Sequence, residues 1–406
     1  MKQADILYIG MSEGLDIRSK ELSGYLIRFL SSHYQVHLLG DLFHESSSEL
    51  RRSYDLILVQ NSFSFVYYKK LLKRYVKCPV LFIATTLDLK SYVAPFENLF
   101  GILNMSRVPL SAWGIPEEIQ LHLNYPVEKV ANYYFYEQQP EFCRIVYCPT
   151  ENSVQESDFK LLTFLQKTNA LLTIVSDGYQ CLKNALPPFV TIVPRNSWFS
   201  AYKKAHLVVA SGFDAMCAMA LCKPCVILGD YGLGGLVQPA NYNNLESISF
   251  RGRKGGYFDE LVPSALFEAE VRKVFDFDRE ESFLKLQKRV LEDYNKKDFN
   301  KKILQEIERI ISLSVSIYSR KKRLLLKPCL SSLFTLETLE NKQYLMRGFN
   351  CFGEMDQEMI DLLKQCGGTV SIQVLAEENG YDQEDVEILW LNLYELWKKK
   401  LIFFAL

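Results

Sequence analysis

Short apolar runs alternate with amphipathic stretches along much of the chain. The first run, Ile6–Ile9, ends at Gly10, and residues 16–30 follow it with apolar side chains at the spacing of one helix face. This alternation is typical of βαβ units around a parallel sheet. Further strand candidates in this part of the chain are the runs at 36–39, 56–59 and 80–84. We therefore predict a Rossmann-like domain over residues 1–140.

A second series of apolar runs repeats this alternation. Its strand candidates lie at residues 145–148, 171–175, 190–193, 207–210 and 225–228. They predict a second Rossmann-like domain over residues 141–295, and the expected fold class is α/β, with two such domains facing a cleft. Because open parallel sheets bind ligands beyond the carboxyl ends of their strands, the loops after these runs are the first place to look for a site.

The composition is that of a globular chain. Lys and Arg number 47 against 48 Asp and Glu, and the formal net charge is −1. This balance excludes a chain that binds nucleic acid or membrane through basic charge along its whole length. The sequence holds no run of about 18 uncharged apolar residues, and MKQADILYIG lacks the order of a secretory signal. Most of the ten cysteines stand in apolar runs, so we expect reduced thiols and a cytoplasmic location.

Residues 296–327 form a basic segment with helical periodicity. Ten Lys or Arg stand there against three Asp or Glu, and Ile303, Ile307 and Ile310 recur on one face. We predict a basic amphipathic closing helix and linker that ends near the Arg320–Arg323 run. The apolar face either packs on the body of the protein or lies on a membrane surface, which would make the protein membrane-peripheral.

The acidic segment 351–406 predicts helices at 356–365, from Ile372 and at 383–398, with a strand at the end. This order resembles a winged helix-turn-helix, and we predict a winged-helix-like α+β domain. Four Lys against eleven Asp or Glu give this segment a charge of −7. A phosphate backbone is bound by cations, so the charge argues against nucleic acid as a partner. A peptide or protein partner, or packing against segment 296–327, is expected instead.

The most particular motif lies at residues 190–235. It has the text VTIVPRNSWFSAYKKAHLVVASGFDAMCAMALCKPCVILGDYGLGG. This text resembles the nucleotide-sugar half of the GT-B glycosyltransferases and their epimerase relatives. In that family a strand ends in Ser-Gly, a helix of the form Glu-Ala-x-Ala-x-Gly-x-Pro follows, and Pro-Val-Ile opens the next strand. The matching residues are Ser211, Gly212, Ala218, Ala220, Lys223, Pro224, Val226 and Ile227.

The resemblance extends to the N-terminal half and implies an activity. Through the Gly10 loop and the helix after it, the first domain is similar to the acceptor half of the same family, so that the resemblance covers residues 1 to about 310. It implies transfer of a sugar from a nucleotide diphosphate donor to an unknown acceptor, which could be a glycan, a lipid-linked group or a peptide. The nucleotide-sugar would be a substrate, and neither a cofactor nor a metal is expected.

Three features of the second domain are suited to bind the donor diphosphate. A helix opening at Gly212 would offer backbone N–H groups to the diphosphate. Glycines after Asp230 would let the backbone approach the ligand, and the Arg251–Lys254 loop would neutralise its charge. Either loop alone is also typical of a solvated surface turn. The residues predicted to bind the donor are Ser211, Gly212, Phe213, Asp214, Gly234, Gly235, Arg195, Arg251, Arg253 and Lys254.

Two positions depart from the family pattern. The helix acid that would hold hydroxyl groups of the donor falls at Cys217, and the usual glycine falls at Cys222. A thiol cannot accept the strong hydrogen bonds of a carboxylate. Asp214 lies one helical turn earlier and is the alternative acid. If the loss at Cys217 is real, the protein is a non-catalytic GT-B-like scaffold whose acidic tail recruits a peptide or protein partner.

For the acceptor side, the sequence offers three acids as the catalytic base. Glu13 and Asp16 stand in the loop after the first predicted strand, and Asp88 follows the strand that ends at Ala84. Inverting transfer needs a base to take the hydroxyl proton of the acceptor, whereas retaining transfer chiefly needs the leaving diphosphate to be held. Each of these acids alone is also typical of a helix cap or a solvated surface.

Overall fold

The computed structural model divides the chain into two compact units. The first unit combines Met1–Leu123 with Asn300–Leu406, and the second is Asn124–Phe299. The structure describes residues 4–11, 17–40, 53–75, 77–85, 98–105, 115–127, 143–149, 170–179, 186–257, 260, 262–274, 280–339, 342–348 and 350–406. Within these residues, no helix combines the length and the apolar character needed to cross a bilayer.

The first unit contains a parallel six-stranded sheet. Its strands are β1 (Asp5–Gly10), β2 (Gln35–Leu39), β3 (Leu56–Gln60), β4 (Val80–Ala84), β5 (Leu99–Asn104) and β6 (Gln120–His122). They are arranged in the order β2-β1-β3-β4-β5-β6. All residues of β1, β3, β4 and β5 are buried, which explains why each is a continuous apolar run rather than an alternating one. The order reverses between β1 and β3.

Three helices of the first unit lie between strands of this sheet in the chain. They are α1 (Ile17–Ser31), α2 (Ser62–Tyr67) and α3 (Lys69–Leu72). On α1, Leu22, Leu26 and Leu30 are buried at helical spacing. Helices α2 and α3 are separate, because Tyr68 leaves helical geometry at the boundary between them.

The second unit has a sheet of the same size. Its strands are β7 (Cys143–Tyr147), β8 (Ala170–Val175), β9 (Val190–Val193), β10 (Leu207–Ala210), β11 (Cys225–Gly229) and β12 (Gly232–Leu236). They follow the order β12-β11-β10-β7-β8-β9, in which only β12 is antiparallel to its neighbour. The helices are α4 (Trp198–Lys204), α5 (Gly212–Ala220), α6 (Tyr242–Glu246), α7 (Ser264–Lys273) and α8 (Glu280–Asp293).

Helix α9 (Lys296–Tyr318) is the predicted basic helix, and it ends just before the Arg320–Arg323 run. Ile303, Ile307 and Ile310 are buried. The face of α9 that carries these isoleucines is therefore packed inside the protein, which is the packing alternative weighed from the sequence. Its stability comes from burial of that face.

The C-terminal residues belong to the first unit. A two-stranded antiparallel sheet pairs β13 (Lys327–Leu330) with β17 (Ile402–Ala405). Between them lie a three-stranded antiparallel sheet and three helices: β14 (Thr335–Leu339), β15 (Lys342–Arg347), β16 (Asn350–Glu354), α10 (Gln357–Gln365), α11 (Ile372–Glu378) and α12 (Gln383–Lys398). The helices lie where the sequence predicts them, because each begins at a capping side chain: Asp356, Ser371 and Asp382.

The acidic tail packs on the basic segment before it and on the first sheet. Glu387 forms ion pairs with Arg320 and Arg323, which is the packing alternative weighed from the sequence. Lys400 donates to the carbonyl of Leu99 at 3.0 Å. Phe403 is buried in the hydrophobic core of the first sheet. The tail is therefore part of the first unit's structure.

Candidate functional site

The second sheet reverses its strand order between β7 and β10, which are neighbours although other strands separate them in the chain. At such a point the loops beyond the two carboxyl ends diverge and leave a crevice, where open α/β sheets bind their ligands. Ser211 follows β10 directly, and α5 begins at Gly212. The structure thus places the predicted Ser-Gly pair at the switch point of the sheet.

Gly212 is required at the start of α5 for its backbone conformation. Its φ is 54°, in the left-handed region that favours glycine. Its amide donates to the carbonyl of Phe250 at 2.9 Å. The expectation that this amide is open to an anion is therefore wrong. The amide of Phe213 comes next and is one of those that a helix leaves without a partner inside the helix.

Arg195 and Asp214 are brought together at the same edge. The guanidinium of Arg195 donates to the carboxylate of Asp214, and both side chains are buried. The backbone N–H of Arg195 donates to Oδ1 of Asp177 at 2.9 Å. Asp214 is thus held by Arg195, so the structure gives it a partner other than a donor hydroxyl. Asp177, which the sequence analysis missed, lies two residues after β8 as an acid that follows an apolar run, and it could have been found on that signal.

The other two predicted arginines also have carboxylate partners. Arg251 donates from Nε to Asp230 Oδ2 at 2.9 Å, and Arg253 donates from Nε to Glu260 Oε2 at 2.8 Å. The hydrogen bond from Arg253 lowers the pKa of Glu260. Within the described residues, Lys254 is exposed and forms no ion pair. The positive charge of this loop is therefore largely compensated inside the protein.

Gly234 and Gly235 have packing roles. A Cβ at Gly234 would lie 2.3 Å from the carbonyl oxygen of Gly252, and one at Gly235 would lie 2.7 Å from Oε2 of Glu270. The lack of a Cβ at these two positions lets strand β12 lie close to the loop and to α7. The glycines that the sequence analysis assigned to the donor thus serve close approach within the protein, and we leave them out of the site proposed below.

Cys217 lines an apolar cavity beside α5. The cavity has a volume of about 330 Å³, and its described lining is Pro126, Val127, Trp198, Phe199, Phe213, Cys217, Ala220 and Leu221. Among these described lining residues, Cys217 supplies the only side-chain heteroatom besides the indole nitrogen of Trp198. The position that holds an acid in the family is therefore part of an apolar and aromatic surface in this chain.

Cys222 adopts the conformation that the family's glycine would adopt. Its φ is 59°. The amide of Cys222 donates to the carbonyl of Met219, and that of Lys223 donates to Ala218, both at 2.9 Å. These two bonds close α5 in a Schellman motif, which needs a left-handed residue at this position. A buried cysteine replaces glycine here at a conformational cost.

The three acids predicted for the acceptor side, Glu13, Asp16 and Asp88, lie outside the described residues. The structure does show the switch point of the first sheet, between β1 and β3. Asn61 follows β3 and caps α2; its φ is 65°, and its side chain accepts a hydrogen bond from the amide of Ser64 at 2.7 Å. The hydroxyl of Ser64 in turn accepts from the amide of Met11 at 2.7 Å. The Asn-Ser-Phe-Ser text after an apolar run is the signal that could have revealed this capped turn.

Among the described residues, no three His, Cys, Asp or Glu side chains are placed to hold a metal ion. Among the described residues, the Arg251–Lys254 loop and the start of α5 are the features that could hold an anion. Both lie in the second unit.

Comparison with solved structures shows the fold. The complex of Anabaena Alr3699/HepE with UDP and glucose has a TM-score of 0.50 and 13% identity, over 75% of this chain and 99% of that chain. Its complex with UDP-glucose also has a TM-score of 0.50, with 12% identity over the same shares. The lipopolysaccharide outer core galactosyltransferase WaaB, without ligand, has a TM-score of 0.49 and 15% identity, over 75% and 99%.

No family profile and no curated protein matches the sequence. At identities this low, the similarity concerns the fold alone. The chain has the mixed α/β fold of the GT-B glycosyltransferases, with two Rossmann-like units built on parallel sheets.

Proposed function

We propose that the protein transfers a sugar from a nucleotide diphosphate donor to an acceptor hydroxyl or similar nucleophile. The observation that carries this proposal is the position of Ser211, Gly212 and the start of α5 at the switch point of the second sheet. Arg195 lies at the same edge, at the end of β9. Its guanidinium is held by Asp214, so an anion at this edge would meet the positive end of α5.

The reaction breaks the bond between the anomeric carbon of the sugar and the diphosphate oxygen, and the diphosphate leaves with the electron pair. An acceptor oxygen forms the new bond to the anomeric carbon and loses its proton to a base. In the proposed site, the positive end of α5 stabilises the charge that develops on the leaving diphosphate. Glu13, Asp16 and Asp88 remain the predicted candidates for the base.

Two further points support a nucleotide-sugar as the donor. The motif at residues 190–235 resembles the nucleotide-sugar half of the family. The solved structures with a TM-score of 0.50 hold UDP and glucose or UDP-glucose. The donor's base and sugar, and the stereochemistry of transfer, stay open in the proposal. The acceptor could be a glycan, a lipid-linked group or a peptide.

Thermal unfolding in the presence of nucleotides tests the donor site. Millimolar UDP or GDP should raise the melting temperature of the full chain by an amount that follows RT ln(1 + [L]/Kd), about 1.4 kcal/mol at a tenfold excess over Kd. The variants Lys254→Gln and Arg253→Ala should reduce this shift, because they remove positive charge from the loop predicted to neutralise the donor. Arg272→Ala is the matched control, because Arg272 is also exposed and paired with a carboxylate, that of Glu268.

Hydrolysis of nucleotide-sugars by the purified chain separates catalysis from binding. Release of UDP or GDP from a panel of donors supports a transferase, since water replaces the acceptor in a slow side reaction. If UDP and GDP leave the melting temperature unchanged and the chain hydrolyses no nucleotide-sugar, the proposal is wrong. A higher melting temperature without hydrolysis would support the donor site, and transfer would then be tested with candidate acceptors.

A second candidate function is a non-catalytic scaffold, and Cys217 favours it. An apolar cavity stands where the family acid is expected, and all three predicted arginines already have carboxylate partners. In this case the acidic tail would recruit a basic peptide or protein. Because Phe403 lies in the core, deletion of the tail is a poor test. Binding of a lysine-rich peptide that falls with salt, together with no nucleotide shift, would favour the scaffold.

A further inference from the structure

One surface of the first unit concentrates positive charge next to exposed apolar side chains. We call it the α2–α3 surface; its apolar members end α2, and its cations follow one another within nine residues along α3 and in the turn after it. Its members are Val66, Tyr67, Lys69, Lys70, Lys73, Arg74 and Lys77, all of them exposed. The near-zero net charge of the whole chain hides this local excess.

The charge of this surface is not compensated. The stretch from residue 61 to 77 contains no Asp or Glu. Within the described part of the chain, none of the five cations forms an ion pair or a side-chain hydrogen bond. By contrast, Arg195, Arg251 and Arg253 of the second unit each contact a carboxylate. The α2–α3 surface is therefore available to an anionic partner.

The apolar members lie beside the cations. Val66 is 45% exposed and Tyr67 is 65% exposed. The ring of Tyr67 stands edge-on to that of Tyr68, with centroids 4.9 Å apart. These side chains are exposed to water, whereas Phe65 and Leu72 of the same helices are buried. The segment thus has one face for the core and another with apolar and cationic side chains together.

The surface continues along the neighbouring end of α9. The hydroxyl of Ser314 donates to the carbonyl of Lys77 at 3.5 Å. Val315 is 49% exposed, and Leu325 is 62% exposed just beyond the Arg320–Arg323 run. Lys321 and Lys322 of that run are exposed and, among the described residues, unpaired. The same combination of cations and apolar side chains thus recurs on the adjacent element.

We infer that the α2–α3 surface binds an anionic phospholipid membrane from one side. Cations near such a surface are attracted by the lipid head groups, and a tyrosine ring is favoured at the membrane interface. The apolar stems of lysine can lie on the lipid boundary while their ammonium groups stay in water. A nucleic acid would meet the cations equally well, but its phosphate backbone offers no apolar phase for Val66. The inference goes beyond the proposed transferase activity and does not depend on it.

Cosedimentation of the full chain with vesicles tests the inference. We expect binding to vesicles of phosphatidylcholine with phosphatidylglycerol or phosphatidylserine and little binding to pure phosphatidylcholine. Binding should weaken steeply as salt is raised, because the attraction is screened. UDP should leave it unchanged. A chain that fails the nucleotide test can still pass this one, so the two proposals fail separately.

Variants with matched charge locate the surface. Lys70→Gln with Lys73→Gln should lower vesicle affinity about 30-fold, at about fivefold for each cation removed. Lys301→Gln with Lys302→Gln removes the same charge from exposed, unpaired lysines on α9 and should change affinity less than twofold. Tyr67→Ser should lower affinity at high salt, where the apolar contribution dominates. All of these side chains are exposed, so thermal melts of the variants should match that of the unchanged chain.

Three outcomes would overturn the inference. They are equal binding to neutral vesicles, an equal loss of affinity in the Lys301/Lys302 control, and binding to a short DNA duplex without binding to anionic vesicles. The last outcome would assign the surface to nucleic acid.

Discussion

The guanidinium of Arg195 and the carboxylate of Asp214 form an ion pair with side-chain exposures of only 10% and 9%. Arg195 follows β9, and Asp214 lies in the first turn of α5 after β10. The pair therefore joins the loops at the carboxyl edge of the second sheet. Since an isolated buried charge is strongly unfavourable, each of the two residues depends on the other.

Breaking this pair on one side should destabilise the second unit. We expect Asp214→Asn to lower the free energy of unfolding by about 3 kcal/mol, because it leaves the Arg195 charge buried without an anion. The double variant Arg195→Met with Asp214→Leu should lose less, because no charge stays buried. Urea unfolding measures both. Glu268→Gln, which breaks an exposed pair with Arg272, should cost less than about 1 kcal/mol. An equal loss in Asp214→Asn and Glu268→Gln would contradict the prediction.

The apolar runs predicted most of the strands in both sheets. The run at 207–210 coincides with β10, and Ile6–Ile9 lies inside β1. Such strands are buried on both faces, so their sequence is continuously apolar and easily recognised. Strand β12 was missed, because Gly232, Gly234 and Gly235 favour a loop in any local pattern.

The partners of charged residues could not be predicted from local sequence. Arg251 and Asp230 are 21 positions apart, and their contact depends on how the loop after α6 returns to the end of β11. The place of the tail is a second case: Phe403 enters the core of a sheet whose first strand begins at Asp5. Periodicity gives the face that an element buries, but not the element it meets.

Lys223 should make stability depend on pH in the alkaline range. Its ammonium group is buried and donates to the carbonyls of Lys203 and Ala205 at 3.0 and 2.9 Å, and burial lowers its pKa from 10.5 to about 8. Between these two values the unfolded chain holds a proton that the folded chain has lost. Stability therefore rises with pH through this window, and the unfavourable contribution is constant below about pH 8.

The variant Lys223→Met isolates this contribution. The difference in unfolding free energy, unchanged chain minus variant, should increase by up to about 3 kcal/mol from pH 7 to pH 10.5. Tyrosine and cysteine residues also titrate there, but they are common to both proteins and cancel in the difference. A difference that stays flat over this range would show that Lys223 keeps its ordinary pKa.

The left-handed conformation of Cys222 predicts an unusual order of two variants. Both Cys222→Ala and Cys222→Gly remove the buried thiol and should be less stable than the unchanged chain. Only alanine keeps a Cβ at a φ of 59°, so Cys222→Gly should be the more stable of the two by about 1 kcal/mol. Thermal or urea unfolding measures the difference. Ala220 inside α5 gives the control, because Ala220→Gly should be destabilising by about the same amount. The opposite order at Cys222 would contradict the Schellman closure.

Phe403 should make the first unit depend on the C-terminal strand. Its ring is buried among core residues of the first sheet, including Ile115 and Ile119. Phe403→Ala should lower the free energy of unfolding by about 3 kcal/mol or more, because it removes buried apolar surface and leaves a cavity. The control is Leu406→Ala, since Leu406 is 54% exposed and its loss should have little effect. If Phe403→Ala unfolded only the tail helices, hydrogen exchange in β1 and β3 would stay slow. We expect it instead to become faster there, because the core that these strands share with Phe403 is weakened.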